Sequence, residues 1–366
     1  MTYFATKLLE LVKKHYVNNY KDIFVDIIAN FIDNKREFLF ENQHVEYLIT
    51  CMKKYPDSVR IQEVGLSVFA HTVLNSCNRK INDTDKIVLA FNCMQKYPDN
   101  TKIQDDGLLL FEHLIIKNPD NKQKIIDKGG IILTLDSMEK HFDVLKVQLH
   151  GIFLLARLIE NKQTKISLPC NVMKIVSLTC NVMKHYPTHD TIQAKGLLIL
   201  GKYATHNLQI INQDGITLAF DSMKKYIDNV HLHRNALYLL STLSNNHDNQ
   251  QKIVNIGGIT IICDSMKKHT TDKSLQEHGL NILANLLNYI DKNTIDMVFD
   301  TTKKSVSSCD AYEIILDILE KRKRKRKITK ADCTTQKVRK LNNGNYITDD
   351  GIVLVPLHST KVKTEK

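Results

Sequence analysis

His231 and His233 are one residue apart and are the nearest approach in this chain to a metal-ligand pair. On a helix, residues i and i+2 do not share a face, so the pair would need a third ligand converging from elsewhere, and no metal site is expected. Eight cysteines (Cys51, Cys77, Cys93, Cys170, Cys180, Cys263, Cys309, Cys333) are scattered without a CxxC pair. That usage suits small apolar side chains in a reducing nucleus or cytoplasm. No GxSxG, GxxxxGK[ST] or HExxH motif is present, and the carboxylates fall on solvated faces. Neither catalytic residues nor a cofactor are expected.

The densest chemistry is charge. Lys321, Arg322, Lys323, Arg324, Lys325, Arg326 and Lys327 form an unbroken basic run, extended by Lys337, Arg339 and Lys340. From residue 321 to the last residue there are 14 Lys/Arg and 4 Asp/Glu, which accounts for +10 of the net +11. Residues 1–320 are electrically balanced. A run of like charges is solvated and flexible. It suits a nuclear-targeting signal read by import machinery, a contact with nucleic-acid phosphate, or a solubilising tail. No aromatic residues interleave with it to stack on bases. Farther on, Tyr346–Val355 reads as a flexible segment or a strand that docks on something else, with a small hairpin at Asp350–Gly351 as the alternative.

The body that carries this tail is repetitive. The methionine of the phrase Met-Lys-Lys-Tyr-Pro-Asp recurs as Met52, Met94, Met138, Met183, Met223 and Met266, at intervals of 42, 44, 45, 40 and 43. Ten residues after each come Gln62, Gln104, Gln148, Gln193, His233 and Gln276; thirteen after come Gly65, Gly107, Gly151, Gly196, Ala236 and Gly279. A fixed period near forty is the signature of a stacked repeat. Weaker echoes near residues 12 and 302 read as degenerate end caps, which a repeat array needs where no neighbour covers its last face.

Each unit reads as helical. Gly151, Leu154, Leu155 and Leu158 follow the i, i+3, i+4, i+7 pattern of one apolar stripe, as do Gly196, Ile199, Leu200 and Tyr203. Proline after tyrosine ends the preceding helix. Thr101 with Gln104, and Asp190 with Gln193, match a capping box opening the next one. Glycine inside a helix costs roughly 1 kcal/mol relative to alanine, so a glycine column implies close helix–helix approach. The doubled Cys170-Asn-Val-Met-Lys174 and Cys180-Asn-Val-Met-Lys184 read as a short insertion lengthening one helix or loop.

The segment Asn118 to Leu158, with its Gly130 junction and long third helix, resembles an armadillo repeat; Gln209 to Gly215 and Gln251 to Gly258 repeat the junction. The resemblance spans roughly residues 12–320 and implies an all-α, right-handed armadillo-type solenoid of six clear repeats and two caps, with residues 321–366 as a basic, largely disordered tail. HEAT repeats share the period but lack the glycine junction. The resemblance also implies a concave groove lined by the third helices. Import adaptors of this family read lysine-rich signals with Trp and Asn at positions 15 and 19 after the anchor. Here those columns hold Ser67, Leu109, Phe153, Leu198, Tyr238 and Asn281, then His71, His113, Arg157, Lys202, Thr242 and Asn285. The Trp ladder is absent and only Asn285 keeps the Asn, which argues against that mechanism.

His71, His113, Phe153, Arg157, Lys202, Tyr238 and Asn285 are therefore the candidate groove residues, with His150, Lys195 and His278 beside them. The histidines and cations among them would form a mildly basic stripe, suited to acidic side chains or phosphates on an extended partner. No apolar run approaches the roughly 20 residues that cross a bilayer, and residues 1–11 do not read as a secretory signal. The expected protein is a non-enzymatic scaffold of nucleus or cytoplasm that binds another protein. The alternative is a nucleic-acid-associated factor acting through its tail.

Overall fold

The computed structural model describes residues 42–74, 82–159, 169–204 and 214–286, residue 289, and the strand residues 339–340, 346–347 and 353–354. The end caps near residues 12 and 302 and the run Lys321–Lys327 lie outside them. The chain divides into two compact units, the first ending at Ile282 and the second beginning at Leu283.

Among the described residues are fourteen helices. In chain order they are α1 (Asn42–Lys54), α2 (Val59–Thr72), α3 (Asp83–Lys96), α4 (Thr101–Lys117), α5 (Asn121–Asp127), α6 (Gly130–Lys140), α7 (Leu145–Leu158), α8 (Pro169–His185), α9 (Asp190–Tyr203), α10 (Ile216–Lys225), α11 (Val230–Leu243), α12 (His247–Asn255), α13 (Gly258–Lys268) and α14 (Lys273–Asn285). Each methionine anchor lies near the end of a second helix (α1, α3, α6, α8, α10, α13), and a third helix follows after a short turn. Third helices pack in succession, α2 on α4, α4 on α7, α7 on α9 and α9 on α11, and each packs on the second helix before it. This is an α-solenoid. Leu154, Leu155, Leu158, Ile199, Leu200, Leu239 and Leu240 are buried along it, as the apolar stripe requires.

The anchor phrase is the adhesive between units. Tyr97 donates its hydroxyl to the Pro56 carbonyl at 2.8 Å, Tyr186 to Phe142 at 3.1 Å and Tyr226 to Pro187 at 3.1 Å. Where histidine replaces tyrosine, His141 Nε2 bonds Pro98 O at 2.9 Å and His269 Nε2 bonds Ile227 O at 3.1 Å. One residue earlier, Lys96, Lys140, His185 and Lys268 face Asp57, Asp99, Asp143 and Asp228 of the preceding unit.

The glutamine column does something the sequence pattern did not suggest. Gln104 Nε2 reaches back to the carbonyls of Met94 (2.9 Å) and Tyr97 (3.0 Å), at the C-terminal end of α3. Gln62, Gln148, Gln193 and Gln276 make the same pair of bonds in their own units. The methionine carbonyl is one that a helix end leaves open, while the turn carbonyl also accepts a backbone N–H, as Tyr97 O does from Asn100 N at 3.1 Å. The expected capping boxes are not formed: the side chains accepting from the first turns are Asn100, to Ile103 N at 3.0 Å, and His189, to Ile192 N at 3.4 Å. Thr101 and Asp190 are already the first helical residues.

The glycine column is also explained differently. A Cβ at Gly151 would lie 2.5 Å from both Cγ and Sδ of Met138, and Gly65, Gly107, Gly196 and Gly279 stand in the same relation to Met52, Met94, Met183 and Met266. The glycine is a socket for the anchor methionine of its own unit, rather than a point where two stacked backbones touch. At the junction, Gly129 and Gly257 hold φ of 89° and 71°, so the left-handed residue stands one position before Gly130 and Gly258. Those two open α6 and α13 instead of closing the short helices α5 and α12.

The doubled Cys-Asn-Val-Met-Lys motif lengthens one helix: α8 has 17 residues where α6 has 11. Cys51, Cys93, Cys180 and Cys263 are buried. In the second unit, β1 (Arg339–Lys340), β2 (Tyr346–Ile347) and β3 (Val353–Leu354) pair antiparallel. Tyr346 opposes Leu354 and Ile347 opposes Val353; the expected turn at Asp350–Gly351 lies outside the described residues.

Candidate functional site

On α4, α7, α9 and α11 the residues at positions 15 and 19 after the anchor are partly exposed, whereas Val64, Ser67 and Asp106 in the columns at 12 and 15 are buried. Leu109, Phe153, Leu198 and Tyr238 are half-buried, and so are His113, Arg157 and Lys202. Because the third helices stack in register, these side chains form adjacent rungs of one face.

The rungs differ in charge. On α2, His71 is exposed and its Nδ1 bonds its own helix at Ser67 O, 2.8 Å away. On α4, His113 Nδ1 donates to the Ala70 carbonyl at 2.6 Å, tying α4 to α2. The same helix brings Asp105, Asp106 and Glu112. Asp106 is buried, and burial pushes its carboxyl up to about 6 against the opposing pull of His71.

Farther along, His150 Nδ1 meets Asp105 Oδ1 at 2.6 Å, and Arg157 Nε donates to Glu112 Oε1 at 3.4 Å. His150 and Arg157 therefore tie α7 to α4. The expected stripe of His71, His113, Arg157 and Lys202 is not one continuous basic row, because its first three members are committed to neighbouring helices or to their own.

Past α7 the arrangement changes. Lys195 Nζ lies 4.9 Å above the Phe153 ring, and Lys202 Nζ lies 5.7 Å above the Tyr238 ring. Both lysines belong to α9, so that helix reaches to an aromatic ring on each side. Tyr238 lies close because Gly201 has no side chain: a Cβ there would come 2.6 Å from Tyr238 Cδ1. Burial pushes the Tyr238 hydroxyl above its ordinary range. Its ring packs 5.3 Å from that of His278, whose imidazole burial holds below its usual value. Asn285 ends α14, in the second unit, and is half-exposed.

The sequence reading missed Gly201 as the seat of the Tyr238 ring. It also missed a signal in plain view. α7 and α11 contain no Asp or Glu and α9 only Asp190, against Lys146, Arg157, Lys195, Lys202 and Arg234.

His231 and His233 diverge as expected of i, i+2. His233 is buried with Nδ1 2.8 Å from Ser265 Oγ, while His231 is exposed beside Arg234. Among the described residues no three His, Cys, Asp or Glu side chains gather as a metal site would require, and no described helix is long and apolar enough to cross a membrane. On another side of the stack, a cavity of about 440 Å³ opens between α3 and α6, lined in part by Met94, Pro98, Gln104, Ile132 and Ser137.

Comparison with one solved structure supports the fold. A crystal structure of an engineered protein from the Northeast Structural Genomics Consortium superposes with a TM-score of 0.52 at 12% identity, covering 86% of each chain. A second engineered protein from the same consortium gives 0.48 at 13% identity, over 67% of this chain and 96% of that one. No curated protein matches the sequence. The family model described as the LRRK2 ARM repeat matches residues 80–304, more than half of the sequence, and the chain belongs to this armadillo repeat family.

Proposed function

We propose that this protein is a non-enzymatic interaction scaffold that binds a segment of another protein across the open face of its third helices. The observation that carries the reading is the alignment of Leu109, Phe153, Leu198 and Tyr238 on successive helices, half-exposed and flanked by His113, Arg157 and Lys202. An elongated row of apolar and aromatic side chains with a charged border has the composition of a protein-binding surface. The titratable groups on the face are spent on holding helices together, His113 on Ala70, His150 on Asp105 and Arg157 on Glu112, which suits a rigid binding surface better than proton transfer. Within this proposal the array is right-handed and capped near residues 12 and 302, and Lys321–Lys327 directs the chain to the nucleus.

Photo-crosslinking tests the face. A crosslinking amino acid placed at Leu198 should form adducts with a discrete protein partner in cells. The same group at Ile132, exposed on α6 beside the other cavity, should not. Equal labelling from both positions would contradict the proposal. Deleting Lys321–Lys327 should abolish nuclear accumulation while leaving the Leu198 adducts intact; retained accumulation would remove the targeting role.

A further inference from the structure

We infer that the segment seated on α7, α9 and α11 is acidic and extended, with two carboxylates four residues apart and an apolar residue midway between them. The inference rests on the proposed binding face and names the chemistry of its partner.

The first argument is charge. Residues 1–320 are balanced overall, yet these three neighbouring third helices hold Lys146, Arg157, Lys195, Lys202 and Arg234 against the single carboxylate of Asp190. Two of the five cations have carboxylates from adjoining helices. Arg234 grips Asp272 with two nitrogens, and Arg157 contacts Glu112. Lys195 and Lys202 rest on aromatic rings instead. An ammonium over a ring is held in place, yet less strongly satisfied than by a carboxylate. Each lysine is thus positioned while its strongest class of partner is left to come from outside.

The second argument is spacing. Lys195 and Lys202 are seven residues apart, two turns of α9, so they leave the same side of the helix about 10 Å apart along its axis. Leu198 lies between them on that side and is half-buried. An extended chain advances roughly 3.3 Å per residue. Side chains of an extended chain alternate in direction, so carboxylates four positions apart face the two ammoniums together and the residue midway between them meets Leu198. A single-stranded nucleic acid fits less well, because stacked bases need open aromatic faces and the lysines already occupy Phe153 and Tyr238.

Selection from a displayed library of randomised peptides tests this on the full chain, with an oligothymidine as competitor. Enriched peptides should carry Asp or Glu pairs four residues apart. Their affinity should fall roughly tenfold or more in the Lys195→Gln/Lys202→Gln variant. It should be unchanged in Lys224→Gln/Lys267→Gln, which removes two exposed charges from second helices. Circular dichroism of both variants separates lost contacts from lost fold. Enrichment of neutral or basic peptides, equal binding by the Lys195→Gln/Lys202→Gln variant, or displacement by the oligothymidine would each overturn the inference. If Leu198 still crosslinks a protein partner in any of those cases, the face stands and only its acidic specificity falls.

Discussion

Gln148 Nε2 donates to the Met138 carbonyl at 2.7 Å, fastening the first turn of α7 to the last turn of α6. Its second bond, to His141 O at 2.9 Å, closes the turn between the two helices. Gln148 is fully buried, so replacing it with leucine would strand the Met138 carbonyl away from water, while His141 O keeps its bond from Val144 N. Gln148→Leu should cost about 1–3 kcal/mol in a urea titration. An unchanged midpoint would mean that the latch is ornamental.

The methionine socket makes a paired prediction. Gly151→Leu drives a side chain into Met138 and should destabilise by about 3 kcal/mol or more. The chain already carries a buried alanine, Ala236, at the equivalent place opposite Met223. Ala236→Gly should therefore cost only about 1 kcal/mol, the helix penalty of glycine. Similar thermal shifts for the two variants would contradict the socket.

His233 stands where the other units have glutamine. Burial, reinforced by His269, pushes its imidazole down to about 4. The rings of His233 and His269 lie 4.9 Å apart, with Ser265 on one side and the Lys268–Asp228 pair nearby. With the folded pKa below the unfolded one, the unfolded chain takes up the proton first. Stability is full above about pH 6.5 and is lost as the pH falls toward 4, by at most about 3 kcal/mol. Asp106, raised to about 6, works in the opposite direction between its ordinary 3.8 and that value. The readout is therefore the difference between the parent and His233→Gln. The variant should lose less stability on acidification; parallel pH profiles would show that His233 is not responsible.

Much of this construction is legible in the sequence, and the parts that are not have a common cause. The period, the apolar stripe and the Pro-ended helices follow from neighbours along one chain, where helix geometry dictates what lies together. The glutamine was misread because a capping box needs only three residues of context, and Thr101–Gln104 supplies them. Its constant distance of ten from the methionine was the better clue, since Val144 stands before Gln148 where no capping side chain is possible. The Lys195–Phe153 and Lys202–Tyr238 pairs join different helices, so they depend on how far apart and in what register those helices stack. A column read down the repeats carries no such information.

Lys86 shows the same limit. Nothing around it in the sequence marks it as buried, yet its side chain is fully enclosed and its Nζ has no hydrogen-bond partner. Burial first, and then Lys117, push it down to about 8. Lys86→Met should stabilise the fold at neutral pH by about 1–2 kcal/mol. The parent should recover part of that difference as the pH rises from 8 toward 10.5, where the unfolded lysine also gives up its proton. A destabilised Met variant would show that the ammonium is needed where it lies.

The most direct test of the binding face is a structure of the full chain with its crosslinked partner bound. The partner segment should cross α7, α9 and α11, with carboxylates at Lys195 and Lys202 and an apolar side chain against Leu198. A partner seated on the second helices, or in the cavity between α3 and α6, would contradict the assignment of the face.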